Sequence, residues 1–118
     1  INGLVIAKND LVLNTDDEAA SALGFVCQCT RILSKLYQIP LKYQVFPMAS
    51  RSFVHDKQLL LPLFMMRASE RQKYIQAVDL LNRNLCQLLE GRNLQASPNR
   101  LDVLENLAIL LNHTKSMQ

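Results

Sequence analysis

A first helix is expected from Asp16 to Tyr37, marked by one clean polar stripe. Ser21, Gly24, Gln28, Arg31, Lys35 and Gln38 recur at alternating spacings of three and four, the period of an α-helix. Nearly everything between them is apolar: Ala22, Leu23, Phe25, Val26, Cys27, Cys29, Ile32, Leu33 and Leu36. An ordinary surface helix buries a narrower stripe. This helix is therefore expected to be a central element, packed on a sheet and covered on more than half its circumference by other helices or a partner chain. Thr15-Asp16-Asp17-Glu18 reads as a capping box at its start, and the carboxylates suit the positive end of its dipole. Pro40 disfavours helix at Ile39 and closes the helical region.

The flanking segments alternate in character. Residues 3–13 hold two apolar runs, Leu4–Ala7 and Leu11–Leu13, separated by the turn residues Asn9-Asp10, which fits a strand or a tight hairpin. From 41 to 46, Leu41, Tyr43 and Val45 alternate with Lys42, Gln44 and Phe46, the pattern of a half-buried strand. Ser52–His55 is a second strand, followed by a turn at Asp56-Lys57. Leu59 to Met66 is a third, placed at an edge by Pro62. Ser69-x-x-Gln72 is a second capping box. The helix behind it carries Tyr74, Val78, Leu81, Leu85 and Leu88 on one face and ends at Gly91, a natural residue for the position after a helix. Ser97-Pro98 starts a last helix with Leu101, Leu104, Leu107, Ala108 and Leu111 as its apolar face. The order is that of a single α+β domain over residues 1–118: three helices on a small, mainly antiparallel sheet.

Composition excludes several classes. Of the 118 residues, 49% are hydrophobic and 19% charged, too apolar for intrinsic disorder. The longest unbroken apolar run, Leu59 to Met66, has eight residues, and a membrane-spanning helix needs about twenty. The chain begins at Ile1 with no signal-like segment, so it is expected to be a piece of a longer protein. Three cysteines, Cys27, Cys29 and Cys86, are an odd number on helical faces, which points to reduced thiols in the cytoplasm rather than to a disulfide framework. The Cys27-x-Cys29 spacing and the lack of a second ligand pair exclude a zinc site. Net charge is +3, but residues 1–30 balance at −3 and residues 31–73 at +6. That basic middle suits an acidic protein face or anionic lipid. Nucleic acid is excluded, because Tyr43, Phe46, Phe53 and Phe64 sit in an apolar pattern rather than on a polar stacking platform.

No active site is expected. The glycines, Gly3, Gly24 and Gly91, are isolated and form no phosphate loop. His55 and His113 have no cysteine placed to act with them as a nucleophile. No cofactor or metal is implied. Binding is the favoured class, since the apolar faces exceed what one small core uses. Both faces of the Leu59–Met66 strand are apolar. One should pack on the first helix and the other meet a partner, with Leu60, Phe64 and Met66 as the partner-facing residues. Ser50-Arg51-Ser52 is either a loop bonding its own backbone or a setting for an anion-facing arginine. Arg51 and Lys57, in consecutive loops, are expected to share one face and contact membrane or an acidic partner. In the second long helix Asn82 and Asn84 are mediocre helix residues, so at least one is expected to bond a neighbouring element.

The order of motifs resembles a known family. Ala22-Leu23-Gly24-Phe25 is followed by Ile39-Pro40-Leu41-Lys42-Tyr43, then Ser50-Arg51-Ser52 with Asp56, Pro62-Leu63-Phe64, Leu80-Leu81-Asn82-Arg83-Asn84 with Gln87-Leu88, and Leu104-x-Asn106-Leu107. Over residues 2–112 this is similar to the C-terminal domain of the UV radiation resistance-associated protein family and its fungal vacuolar-sorting counterparts. The resemblance implies a fold like the β-α repeat domain of Beclin. It also implies a non-catalytic subunit of the endosomal class III phosphatidylinositol 3-kinase complex, with Beclin, the kinase and its pseudokinase-like regulatory subunit as partners. Peripheral attachment to endosomal or vacuolar membranes, a coiled coil elsewhere in the parent protein, and roles in protein sorting and autophagy follow from the same resemblance. The short stretch between Asp56 and Leu59 points to a fungal or other divergent member. Beclin's membrane-binding aromatic finger has no equivalent here. The alternatives are the autophagy-specific Beclin-binding paralogue Barkor and an unrelated module that binds lipid headgroups.

Overall fold

A computed structural model describes residues 17–99 and 101–116. The expected strand over residues 3–13 and the Thr15 cap lie outside them. The elements run α1 (Asp17–Tyr37), β1 (Gln44–Phe46), a short 3-10 turn (Ala49–Arg51), β2 (Phe53–Asp56), β3 (Leu59–Pro62), a second 3-10 turn (Ala68–Glu70), α2 (Arg71–Gly91) and α3 (Val103–Ser116). Among the described residues the sheet is antiparallel and ordered β1-β2-β3. The expected α+β class is therefore what is found, and β3, with its proline, lies at an edge. No described helix is long and apolar enough to cross a membrane.

The core lies between the helices and one face of the sheet. Val45, Val54 and Leu61 sit side by side in the register and are buried. They meet Leu23 and Val26 of α1, Tyr74, Val78, Leu81, Leu85 and Leu88 of α2, and Val103, Leu107 and Leu110 of α3 in one apolar cluster.

α1 ends at the expected Tyr37, whereas the close of α2 departs from the expected residue. α1 and α2 both finish in the same backbone device, a left-handed residue whose amide and the next one reach back into the last turn. In α1 the left-handed residue is Gln38 (φ 59°), with Gln38 N–H donating to Lys35 O and Ile39 N–H to Ser34 O. In α2 it is Asn93 (φ 58°), with Asn93 N–H on Glu90 O and Leu94 N–H on Leu89 O. Gly91 is thus inside α2, not after it. Its lack of a side chain serves contact instead, since a Cβ there would overlap Ile39 Cδ1. Before α2 the expected Ser69 cap is replaced by Glu70, whose Oε1 accepts from Met66 N at 2.8 Å and Arg67 N at 3.1 Å. Those two amides, the Met66 contact foremost, hold its carboxyl below the usual range.

The last helix starts later and faces differently from expectation. Asn106 N–H bonds Asp102 O at 3.0 Å, so Asp102, not Ser97, holds the cap position. Val103, Asn106, Leu107 and Leu110 are buried, whereas Ala108 and Leu111 are exposed. The phase is set by a polar contact: Asn106 Nδ2 donates to Asn82 Oδ1 at 2.8 Å, and Asn106 Oδ1 accepts from Ser97 N at 2.8 Å. Burying Asn106 satisfied in this way turns Leu111 outwards. The Ser97 hydroxyl donates to Asp102.

Two amides of α2 grip the chain that leads into β1. Asn84 Oδ1 accepts from Tyr43 N at 3.1 Å, while its Nδ2 donates to Tyr43 O at 2.7 Å. One turn on, Gln87 Oε1 accepts from Lys42 N at 3.0 Å, and its Nε2 donates to Pro40 O. Side-chain amides thus stand in for a neighbouring strand. β1 is only three residues long, because the backbone of Pro40, Lys42 and Tyr43 pairs with a helix rather than with the sheet.

Candidate docking surface

The outward face of the sheet gathers apolar and aromatic side chains. Alternation along β1, β2 and β3 puts Phe46, Phe53 and Pro62 in one cross-strand row and Gln44, His55 and Leu60 in the next. The Leu59–Met66 segment leaves the sheet after Pro62, short of the expected strand, yet its alternation continues: Leu63 and Met65 are buried, Phe64 half-buried and Met66 exposed. Phe53 and Phe64 meet edge to face with centroids 5.3 Å apart, a favoured aromatic geometry. The Arg51 guanidinium lies 5.0 Å from the Phe64 centroid, within cation–π range, and its Nη1 donates to Met66 Sδ at 2.8 Å. Phe46 stands edge-on to His55 at 6.4 Å.

Leu60 and Met66 remain 52% and 63% exposed. Met48 and Phe46 are exposed beside them. The structure therefore brings Phe64 and Met66 together with Arg51 and keeps Leu60 on the same face. Leu59, expected to point inwards with Leu61, is exposed at the hairpin end, beyond the reach of the core. Phe46, Phe53 and Met48 were missing from the sequence reading of this face. The alternation of β1 and β2 carried the signal for the two phenylalanines, whereas Met48 lies in an irregular loop.

Lys57 does not join Arg51. It occupies the hairpin after β2 with φ 55°, whereas Arg51 precedes β2. Arg51 and Lys57 thus stand at opposite ends of β2. The Ser50-Arg51-Ser52 segment is built chiefly for local order. The buried Ser52 hydroxyl donates to Ala49 O at 2.9 Å and accepts from Met48 N at 2.8 Å, and Ser52 O accepts from Leu63 N at 2.9 Å. This fixes the turn that presents Arg51.

The thiols are chemically quiet. Burial pushes Cys27 up from 9.0 to about 12, against smaller downward pulls from the Phe46 backbone and the Arg31 charge. Burial also raises Cys29 and Cys86. Cys27 is expected to resist a thiolate-selective reagent at pH 8 until the protein unfolds; rapid labelling in the native state contradicts this. The linkage has a definite sign. The folded state holds the Cys27 proton more tightly than the unfolded one, so this contribution to stability is complete below about pH 9 and falls as pH rises towards 12.

A concavity of about 410 Å³ lies between α1 and β1, lined by Arg31, Ser34, Pro40, Leu41, Gln44, Val45 and Phe46. Among the described residues no three His, Cys, Asp or Glu side chains gather to share a metal ion.

Over 114 residues, 90% of this chain, the sequence is 29% identical to the UV radiation resistance-associated protein of Mus musculus. The chain spans 16% of that relative's length. No family model matches the chain, and no solved structure does.

Proposed function

We propose that this chain is the C-terminal domain of a UV radiation resistance-associated type protein, a non-catalytic part of a class III phosphatidylinositol 3-kinase complex. In this reading it pairs with Beclin through the outward sheet face and helps hold the kinase on endosomal or vacuolar membranes. The similarity over 114 residues carries the proposal. The exposed face around Leu60, Phe64 and Met66 supports it, because an apolar edge left open invites association. Arg51, held over Phe64, contributes cationic character at its border. Arg51 and Lys57 then act as separate membrane or acidic-partner contacts, each worth on the order of 1 kcal/mol at an anionic bilayer.

Co-purification with the C-terminal domain of Beclin tests the pairing. Leu60→Asp combined with Met66→Asp changes two exposed side chains and is expected to leave a folded protein that no longer co-purifies. Leu61→Asp places a charge among Val54 and the helices and is expected to unfold it. Retained co-purification by the folded double variant refutes this use of the face. Reversing Arg51 and Lys57 is expected to weaken binding to phosphatidylserine vesicles in a salt-dependent way; unchanged binding at low salt removes the membrane role.

A further inference from the structure

The sequence demands more cover for α1 than the described residues supply. α2, α3, β1 and the 49–51 turn all pack against it, burying Leu23, Val26, Cys27 and Leu33. Phe25, Ile32 and Leu36 nevertheless stay 38%, 53% and 58% exposed, with Cys29 half-buried among them. Positions 25, 29, 32 and 36 are separated by four, three and four residues. This is the repeat by which one helix lays a seam against another. The eleven helical rises from Phe25 to Leu36 make that seam about 16 Å long, bounded at its start by Glu18 and Ser21, both exposed.

The charge beside the seam has one sign. Gln28 and Lys35 occupy the flanking positions from which charged side chains reach across to a partner helix, and Arg31 lies further round the same side. Arg31 and Lys35 are exposed, and among the described residues neither is ion-paired. A second copy of this chain would set these cations against one another, and a bilayer would suit a broader face than a seam one side chain wide. We propose that this face of α1 binds an amphipathic helix of a partner protein, apolar at alternating three- and four-residue spacing and acidic along the flank opposite Arg31 and Lys35. The seam lies on α1 and not on the sheet, although Arg31 at its flank lines one concavity with Gln44 and Phe46.

The test uses a synthetic helical peptide of about three heptads, with leucine on the seam and glutamate on both flanks, added to the isotopically labelled chain. Amide shifts confined to α1 around residues 25–36, weakening as salt is raised, are expected. Ile32→Asp, Leu36→Asp and Lys35→Glu should each lower affinity about tenfold or more, and a lysine-flanked peptide should recover binding to Lys35→Glu. Should an aspartate variant fail to fold, Ile32→Ser serves the same purpose. Shifts centred on the sheet face, or full affinity in the folded Ile32 variant, overturn the proposal. So does dimerisation of the chain, or binding to phosphatidylserine vesicles, that the Ile32 variant abolishes, since the occupant is then a second copy or a lipid surface.

Discussion

Gly24→Ala is expected to lower the melting temperature by about 10–20 °C, a loss of about 3 kcal/mol or more. A Cβ on Gly24 would overlap the carbonyl oxygen of Ala49, with the carbonyl carbon 2.7 Å and Ser52 Oγ 3.1 Å away. The obstacle is backbone, which cannot rotate aside as a side chain does. Nor is the turn free to move. Ser52 Oγ bonds Ala49 O and Met48 N, and Ser52 O receives Leu63 N, so displacing Ala49 drags on β2 and on the segment after β3. Ala49 itself is left-handed at φ 51°, a conformation costly for a residue with a side chain. A domain of this size has about 5–15 kcal/mol in total, so the effect is a large fraction. Gly91→Ala is the matched control. The atom in its way is the end of the Ile39 side chain, and alanine gains about 1 kcal/mol of helix propensity. Thermal unfolding of both variants should show Gly24→Ala strongly destabilised and Gly91→Ala close to the parent. Equal melting temperatures for Gly24→Ala and the parent contradict the packing described.

This contrast also shows what sequence pattern carries and what it does not. Periodicity placed α1 and α2 because their buried faces repeat over many turns, and alternation placed Val45, Leu61 and Leu63 inside. The same periodicity counted Gly24 as one more polar position. What makes it a glycine is a turn 25 residues further along the chain, which no local pattern reports. The phase of α3 was misread for a related reason. Leucine is present on several of its faces, and the choice falls to Asn106, a polar residue whose partner Asn82 lies on another helix. The close of α2 is not legible because Asn93, rather than a glycine, adopts the left-handed conformation that glycine favours. On the outward face of the sheet, alternation through Pro62 puts Leu60, Phe64 and Met66 on one side. The separation of Arg51 from Lys57 was not legible, since it depends on the length of β2.

Asn84→Leu is expected to cost about 2–5 kcal/mol, although leucine is the better helix former. The two side chains are similar in size, so packing changes little. What is lost is both hydrogen bonds to Tyr43, whose N–H and C=O are paired with the Asn84 amide in a buried position. Each backbone group left without a partner costs about 1–3 kcal/mol. Gln87→Leu should cost much less, because its bonds to Lys42 and Pro40 are exposed and water replaces them. Denaturant unfolding separates the two, and a Gln87 variant as damaged as the Asn84 variant would show that the grip on residues 40–43 is not a matter of burial. Asn84→Asp sharpens the assignment. Its carboxylate still accepts from Tyr43 N but faces Tyr43 O with a second oxygen and a buried charge. Protonation supplies an O–H that donates to that carbonyl. Burial and the facing carbonyl both raise the folded-state pKa of this carboxyl above its unfolded value. The variant should therefore regain stability relative to Asn84→Leu as pH falls through the folded-state value. A difference between the two variants that does not change with pH would mean that the amide acts by shape and not by its hydrogen bonds.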